Sequence, residues 1–204
     1  MNKSKVGVQT KVRAFFLAAC AVLLAGAPAV FAETADASVS SSEKTGFTKE
    51  QVLAKADGFF GETTEGLAKA IEKLFEEQGS PNAIIAGEEV SAALSIGVRY
   101  GQGEVELAGQ APEAIFWQGP SVGFDVGANV AKVFTLVYHL KSTDDLMQRF
   151  PGVDGSFYVV AGVGVNYQQS GEMILAPIRT GVGLRAGASV GYVHYTRKKS
   201  WLPF

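Results

Sequence analysis

Residues 131–139 read Ala-Lys-Val-Phe-Thr-Leu-Val-Tyr-His. Val133, Thr135, Val137 and His139 fall on one side of an extended chain; Lys132, Phe134, Leu136 and Tyr138 fall on the other. That is the period of two that a β-strand imposes on its side chains. Similar short runs rich in Val, Ile, Tyr and Phe lie around it, at 90–100, 103–108, 113–118, 121–127, 155–167, 172–178, 181–188 and 189–197. Eight or nine strands at a spacing of about twelve residues point to an antiparallel barrel or sandwich. Sixteen of the 24 glycines lie in 90–204, several inside the runs themselves (Gly97, Gly123, Gly162, Gly164, Gly183, Gly187, Gly191). Glycine within a strand marks a tight bend or a close approach, which a small closed barrel needs more than a flat sandwich does. The expected fold is therefore mainly β: a small soluble antiparallel barrel of about eight strands over 90–204, preceded by helices. One interruption reads as helical, with Ser142 capping 143–150, Asp144 and Asp145 in its first turn and Arg149 in its last.

The segment before the barrel has another character. Residues 33–89 carry a net charge of −7, against +1 for 90–204. Thr48-Lys-Glu-Gln51 is a capping-box pattern that should open a helix of about three turns ending near Gly58 and Gly61. A second helix should start at Thr63 or Thr64, with Leu67, Ala70, Ile71, Leu74 and Phe75 on one apolar stripe, and stop at Gly79-Ser80-Pro81. Residues 33–46 hold Ser, Thr, Asp and Glu with almost no bulky apolar side chains, and read as a disordered tether. The helical segment accordingly spans 47–89.

Residues 1–32 read as an address. All four charges there are positive (Lys3, Lys5, Lys11, Arg13), residues 14–31 carry none, and Val30-Phe31-Ala32 offers small residues for a cut after Ala32. This is the grammar of a cleaved signal peptide and predicts a soluble periplasmic protein with no transmembrane segment left. Leu17-Ala-Ala-Cys20 has the letters of a lipobox, but the apolar run continues well past Cys20, so acylation there is the lesser alternative. Past residue 32 the chain carries 14 Lys and Arg against 20 Asp and Glu. That balance lacks the basic field that nucleic-acid binding needs. A single Cys excludes a disulfide framework and a cysteine zinc site.

The search for chemistry returns mostly negatives. His139 and His194 sit in strand patterns without metal-ligand spacing, no Gly-x-Ser-x-Gly elbow is present, and nothing asks for a cofactor or a metal. Gly162-Val-Gly164 and the glycines of 181–187 do not open a helix after a strand, so they read as barrel glycines. Asp125 lies in an otherwise apolar run, where a buried carboxylate needs a cation; Arg179 and Arg185 are its candidate partners. Arg197, Lys198 and Lys199 join Trp201 and Phe204 at the C-terminus, a combination suited to anionic headgroups or lipopolysaccharide phosphates. Asp125, Arg179, Arg185, Arg197, Lys198, Lys199 and Trp201 form the candidate ligand-binding set.

Several strings resemble a family of exported alphaproteobacterial proteins, the envelope integrity protein EipA family. They are Ile96-Gly-Val-Arg-Tyr-Gly-x-Gly, Trp117-Gln-Gly-Pro-Ser-Val-Gly-Phe-Asp, Lys132-Val-Phe-Thr-Leu-Val-Tyr, Arg149-Phe-Pro-Gly-Val, Ala176-Pro-Ile-Arg-Thr-Gly-Val-Gly-Leu-Arg and the run from Gly191 to Phe204. The resemblance implies a soluble periplasmic barrel needed for resistance to envelope stress, and it implies no catalytic residues. A weaker similarity, carried by Trp117-x-x-Pro-Ser-Val-Gly-Phe-Asp-Val-Gly and 133–138, is to SYLF lipid-binding domains. The basic amphipathic helix of some SYLF proteins has no counterpart in the acidic helix here.

Three readings follow, of which the third is an enzyme whose carboxylate or histidine sits in a cleft with a partner. The first is a non-enzymatic periplasmic protein that supports envelope integrity through contacts with envelope lipids, lipopolysaccharide or proteins. The second is a lipid or amphipath binder with a small cavity whose mouth is edged by Arg179, Arg185 and 197–199. An eight-stranded barrel is either just filled by side chains or just able to hold one small ligand. Phe124, Phe134, Phe157, Tyr158 and Tyr167 are the expected fillers.

Overall fold

The computed structural model describes residues 46–62, 64–93, 96–122, 127–153, 156, 158–160, 162–180 and 191–200. The address in 1–32 with Cys20, the tether up to residue 45, and Phe124, Asp125, Phe157, Arg185, Trp201 and Phe204 lie outside them.

Both helices form where the caps place them. Helix α1 (Lys49–Phe60) is opened by Thr48, whose hydroxyl accepts from the Gln51 amide at 3.3 Å while Gln51 Oε1 accepts from Thr48 N–H at 2.8 Å. It runs through Gly58 and ends at Gly61, which takes the left-handed conformation (φ 93°). Helix α2 (Glu65–Gln78) is capped by Thr64 and turns Leu67, Ala70, Ile71 and Leu74 inward. No helix among the described residues is long and apolar enough to cross a membrane. Gly58 is exposed within α1, and a methyl group there meets nothing within 4 Å. Gly58→Ala should therefore stabilise the protein by about 0.5–1 kcal/mol, since glycine loses more backbone freedom than alanine in a helix. An unchanged or lower midpoint in urea would show that α1 is not a helix in solution.

Among the described residues ten strands make one antiparallel sheet: β1 (Ala83–Ala93), β2 (Ile96–Leu107), β3 (Glu113–Val122), β4 (Gly127–Tyr138), β5 (Arg149–Pro151), β6 (Tyr158–Val160), β7 (Val163–Val165), β8 (Gln168–Ser170), β9 (Met173–Thr180) and β10 (Tyr192–Thr196). Their order is β5-β10-β3-β2-β1-β4-β9, and β9 pairs onward with both β7 and β8. Gly152, just past β5, bridges back to Gln168 of β8, and Val153 N–H donates to Tyr167 O at 2.9 Å. Among the described residues this seam completes a ring of eight strands, β5-β10-β3-β2-β1-β4-β9-β8.

Alternation along the strands sorts two cores. Ala83, Ile85, Val105, Ile115, Trp117, Val133, Val137, Leu175, Val193 and Tyr195 fill the ring, with Leu146 and Phe150 packed among them. Ile84, Phe134, Leu136, Tyr138, Ala176 and Ile178 face outward from β1, β4 and β9, where α1 and α2 cover them. The outer faces of β2 and β3 carry exposed Gln102, Glu104 and Ala114 instead.

Four sequence readings change. The β region begins at Ala83, so the helical segment does not reach 89; the run Ala83–Val90 is extended because it pairs with both β2 and β4. Runs 90–100 and 103–108 are re-divided: Ala93 pairs with Gly97 across a hairpin, and β2 continues unbroken through Gly101 and Gly103. The expected helix over 143–150 is a single 3-10 turn (Thr143–Leu146), after which Arg149 enters β5 opposite His194. His139 leaves the strand pattern, exposed and at φ 60°, and this turn sends Leu140 into the base of the ring.

Candidate functional site: an ion cluster inside the ring

Glu89 follows Ile85 and Gly87 on the inward face of β1, and Arg99 follows Val105, Gly103 and Gly101 on the inward face of β2. Arg179 enters from β9, where it is paired with Val133 and with Gly164 of β7. These three ionised side chains sit directly on the apolar filling. Trp117 Nε1 donates to Glu89 Oε2 at 2.9 Å, and the Arg179 Nε lies 3.5 Å from Glu89 Oε1. Arg179 Nη1 donates to Asn166 Oδ1 at 3.0 Å, and Arg99 Nε donates to the Pro120 carbonyl at 3.1 Å. Asn166 sits between β7 and β8, which run alongside β9 as one interrupted strand, and the interruption turns its amide to Arg179. Arg99 is 5% exposed, whereas 18% of the Arg179 side chain still meets solvent.

Glycine makes the room. Gly101 lies opposite Trp117 in the β2–β3 pairing, and a Cβ on it would overlap the indole ring. The tip of the same ring passes 2.8 Å from where a Gly87 Cβ would stand. Gly87 and Gly101, neither of them among the glycines read as bends in the sequence, therefore form a cradle for the tryptophan that holds Glu89.

Electrostatics fix the protonation of this layer. Burial opposes ionisation of Glu89, but the Arg179 and Arg99 guanidiniums, with the Trp117 and Arg179 hydrogen bonds, outweigh it and hold the carboxyl below its usual range. Burial likewise pulls Arg99 down, with Arg179 adding to the pull and Glu89 resisting it. Burial pushes the neighbouring Tyr195 phenol up, so it stays neutral.

A second polar group lies outside the ring, under α2. The Tyr167 hydroxyl donates to Glu77, and the Lys73 ammonium stands 3.8 Å over the Tyr158 ring. Burial and the Glu77 charge push Tyr158 up to about 12. His194, on the outer face of β10, is pulled down by burial and then by Arg149.

The candidate residues read from the sequence are separated by the fold. Arg179 is in the cluster, and its described carboxylate partner is Glu89; Asp125 and Arg185 lie outside the described residues. Arg197 does not edge a mouth shared with Arg179. It stands near Glu113, where Val105 and Glu113 pair, with Nη2 2.6 Å from Asp144 Oδ1 and Nη1 3.0 Å from Glu113 Oε2. The adjacent aspartates thus divide their work: Asp144 binds Arg197, and Asp145 Oδ2 accepts from Ser142 N–H at 3.0 Å. Lys198 and Lys199 are exposed, and Trp201 lies outside the described residues. Of the expected ring fillers, Phe134, Tyr158 and Tyr167 pack outward beneath the helices. Trp117, Phe150 and Tyr195 fill the ring in their place. Glu89 and Arg99 were not singled out in the sequence, yet both were signalled there as charges on the inward, apolar-or-glycine phase of a strand.

The chain is similar to a solved structure and to a protein family. The chain is 42% identical to a beta-barrel-like, uncharacterised protein from Brucella abortus whose crystal structure superposes with a TM-score of 0.71. The match covers 78% of this chain and 99% of that one. No curated protein matches the chain. The profile of the family described as envelope integrity protein A matches residues 45–204, which takes in both helices, the ring and the ion cluster. The chain belongs to the envelope integrity protein A family.

Proposed function

We propose that this protein is exported to the periplasm and supports cell-envelope integrity and resistance to envelope stress without catalysing a reaction. The observation that carries the non-enzymatic part is the direction of the pKa shifts. A general acid or base works best with a pKa near the operating pH. Among the described residues the shifted carboxyl, phenol and imidazole groups move the other way: Glu89 down, Tyr138, Tyr158, Tyr167 and Tyr195 up, and His194 down; Arg99 alone is pulled toward neutral pH by burial, with Glu89 resisting. Each is tied to packing or to a fixed ion pair. The filled ring supports the same reading, since side chains rather than a substrate occupy the space between the walls. Family membership supports the envelope role.

Deleting the gene should sensitise the bacterium to detergent and to chelation of divalent cations, and the full chain should restore resistance. A chain lacking residues 2–32 should not restore it. Restoration by that leaderless chain would take the periplasm out of the reading, and a deletion without phenotype would take out the envelope role. Resistance should also fall in step with expression level, as for a protein that acts by contact. Full resistance at a small fraction of the normal level would point to turnover instead.

A further inference from the structure

Among the described residues, the layer above the apolar filling holds two guanidiniums and one carboxylate, with Tyr195 neutral beside them. An ionised group taken out of water is costly unless an opposite charge answers it, and Glu89 can answer only one of the two arginines. Each arginine is fixed by the protein itself, Arg99 through Pro120 O and Arg179 through Glu89 and Asn166, so both are in place before a ligand arrives. The layer lies toward one end of the ring, where β1 meets β2, β3 ends, β4 begins and β9 ends. Solvent reaches it, as the exposure of Arg179 shows.

We infer that Arg99 and Arg179 form an anion site that takes one phosphate group, either free or as the headgroup of a phosphate ester. A guanidinium offers a planar fork of donors that matches phosphate oxygens, and two forks at one level can hold one tetrahedral anion from two sides. Glu89 supports this role by anchoring Arg179 and Trp117, and among the described groups it leaves a single positive charge for the ligand rather than two. The inference reaches beyond the envelope role and is read on purified protein, so its failure leaves the deletion phenotype untouched.

Titrating mature protein with sodium phosphate, against sodium chloride at matched ionic strength, should raise the melting temperature saturably with phosphate alone. Arg179→Gln, at the more exposed of the two arginines, should abolish that rise while keeping a cooperative transition. Arg99→Lys, which preserves the charge but not the fork, should weaken it at least tenfold in apparent affinity. Replacing Arg197, Lys198 and Lys199 together by Gln should leave it unchanged. No phosphate-specific rise in the wild type, or a rise that survives Arg179→Gln and disappears in the triple variant, overturns the site. A silent wild type whose Asp125→Asn variant responds also overturns it, by showing that the counter-ion is internal. Dihexanoyl phosphatidic acid tells the two sources apart. A larger shift than equimolar inorganic phosphate assigns the site to a lipid headgroup, and an equal or smaller one assigns it to free phosphate.

Discussion

Gly101→Ala should cost about 3 kcal/mol or more, although it adds one methyl group. The methyl cannot coexist with the Trp117 indole, which lies against the Gly101 Cα in the β2–β3 pairing. Overfilling a packed interior typically costs about 1–3 kcal/mol. Here the ring must also move away from Glu89, and losing a hydrogen bond to a charged acceptor adds about 1.5–3 kcal/mol. For a domain of this size that is on the order of 10 °C in melting temperature. In a Trp201→Phe background only Trp117 emits, so its fluorescence should shift to the red as the indole leaves its cradle. Gly109→Ala is the contrast: nothing crowds its Cβ, and its cost comes from the positive φ alone, about 1 kcal/mol. Equal losses in the two variants would mean that the cradle contributes nothing.

Glu89→Gln should destabilise the protein by about 3–5 kcal/mol at neutral pH. The substitution keeps the shape and removes the charge that Arg179 and Arg99 share, and breaking a buried ion pair from one side leaves uncompensated charge in a low-dielectric interior. The pH dependence carries an independent sign. The folded-state pKa of Glu89 lies below its unfolded value, so its contribution is complete above about pH 4.3 and fades as the pH falls through the folded value. The wild type should therefore lose stability steeply below about pH 4, while Glu89→Gln lacks that part of the acid limb and the two curves converge. Parallel curves across that range, or a loss under about 0.5 kcal/mol at pH 7, would remove Glu89 from the centre of the site.

Much of the architecture could be read from local patterns, for local reasons. Thr48 with Gln51, Thr64, Gly61 and Gly79 mark helix ends because caps are satisfied within a turn of chain. The stripe from Leu67 to Phe75 marks the buried side of α2 because helical spacing alone sets it. In 131–138 alternation correctly opposes Val133, Thr135 and Val137 to Phe134, Leu136 and Tyr138. It could not say which side was the inside, since both sides are buried: one in the ring, the other beneath the helices. That ambiguity is why Phe134, Tyr158 and Tyr167 were expected in the ring and lie outside it.

The candidate site was less legible. Arg179 announced itself as a charge within an apolar run, but the carboxylate described beside it, Glu89, was not an expected partner, and the expected one, Asp125, lies outside the described residues. Glu89 sits ninety residues away and just before the boundary at which the β region was expected to begin. The charge-rich C-terminal run looked like one unit with Arg179, but pairing register sends Arg197 to Glu113 and Asp144 at another level of the ring.

By itself the sequence determined the two helices and the β class, because each depends on residues adjacent or a few positions apart. The tertiary structure alone decided which face of each strand is enclosed, which glycines make room for Trp117, and which carboxylate meets Arg179. Those are set by strand order and register, in which residues far apart in the chain come within hydrogen-bond distance only after the sheet has curled on itself.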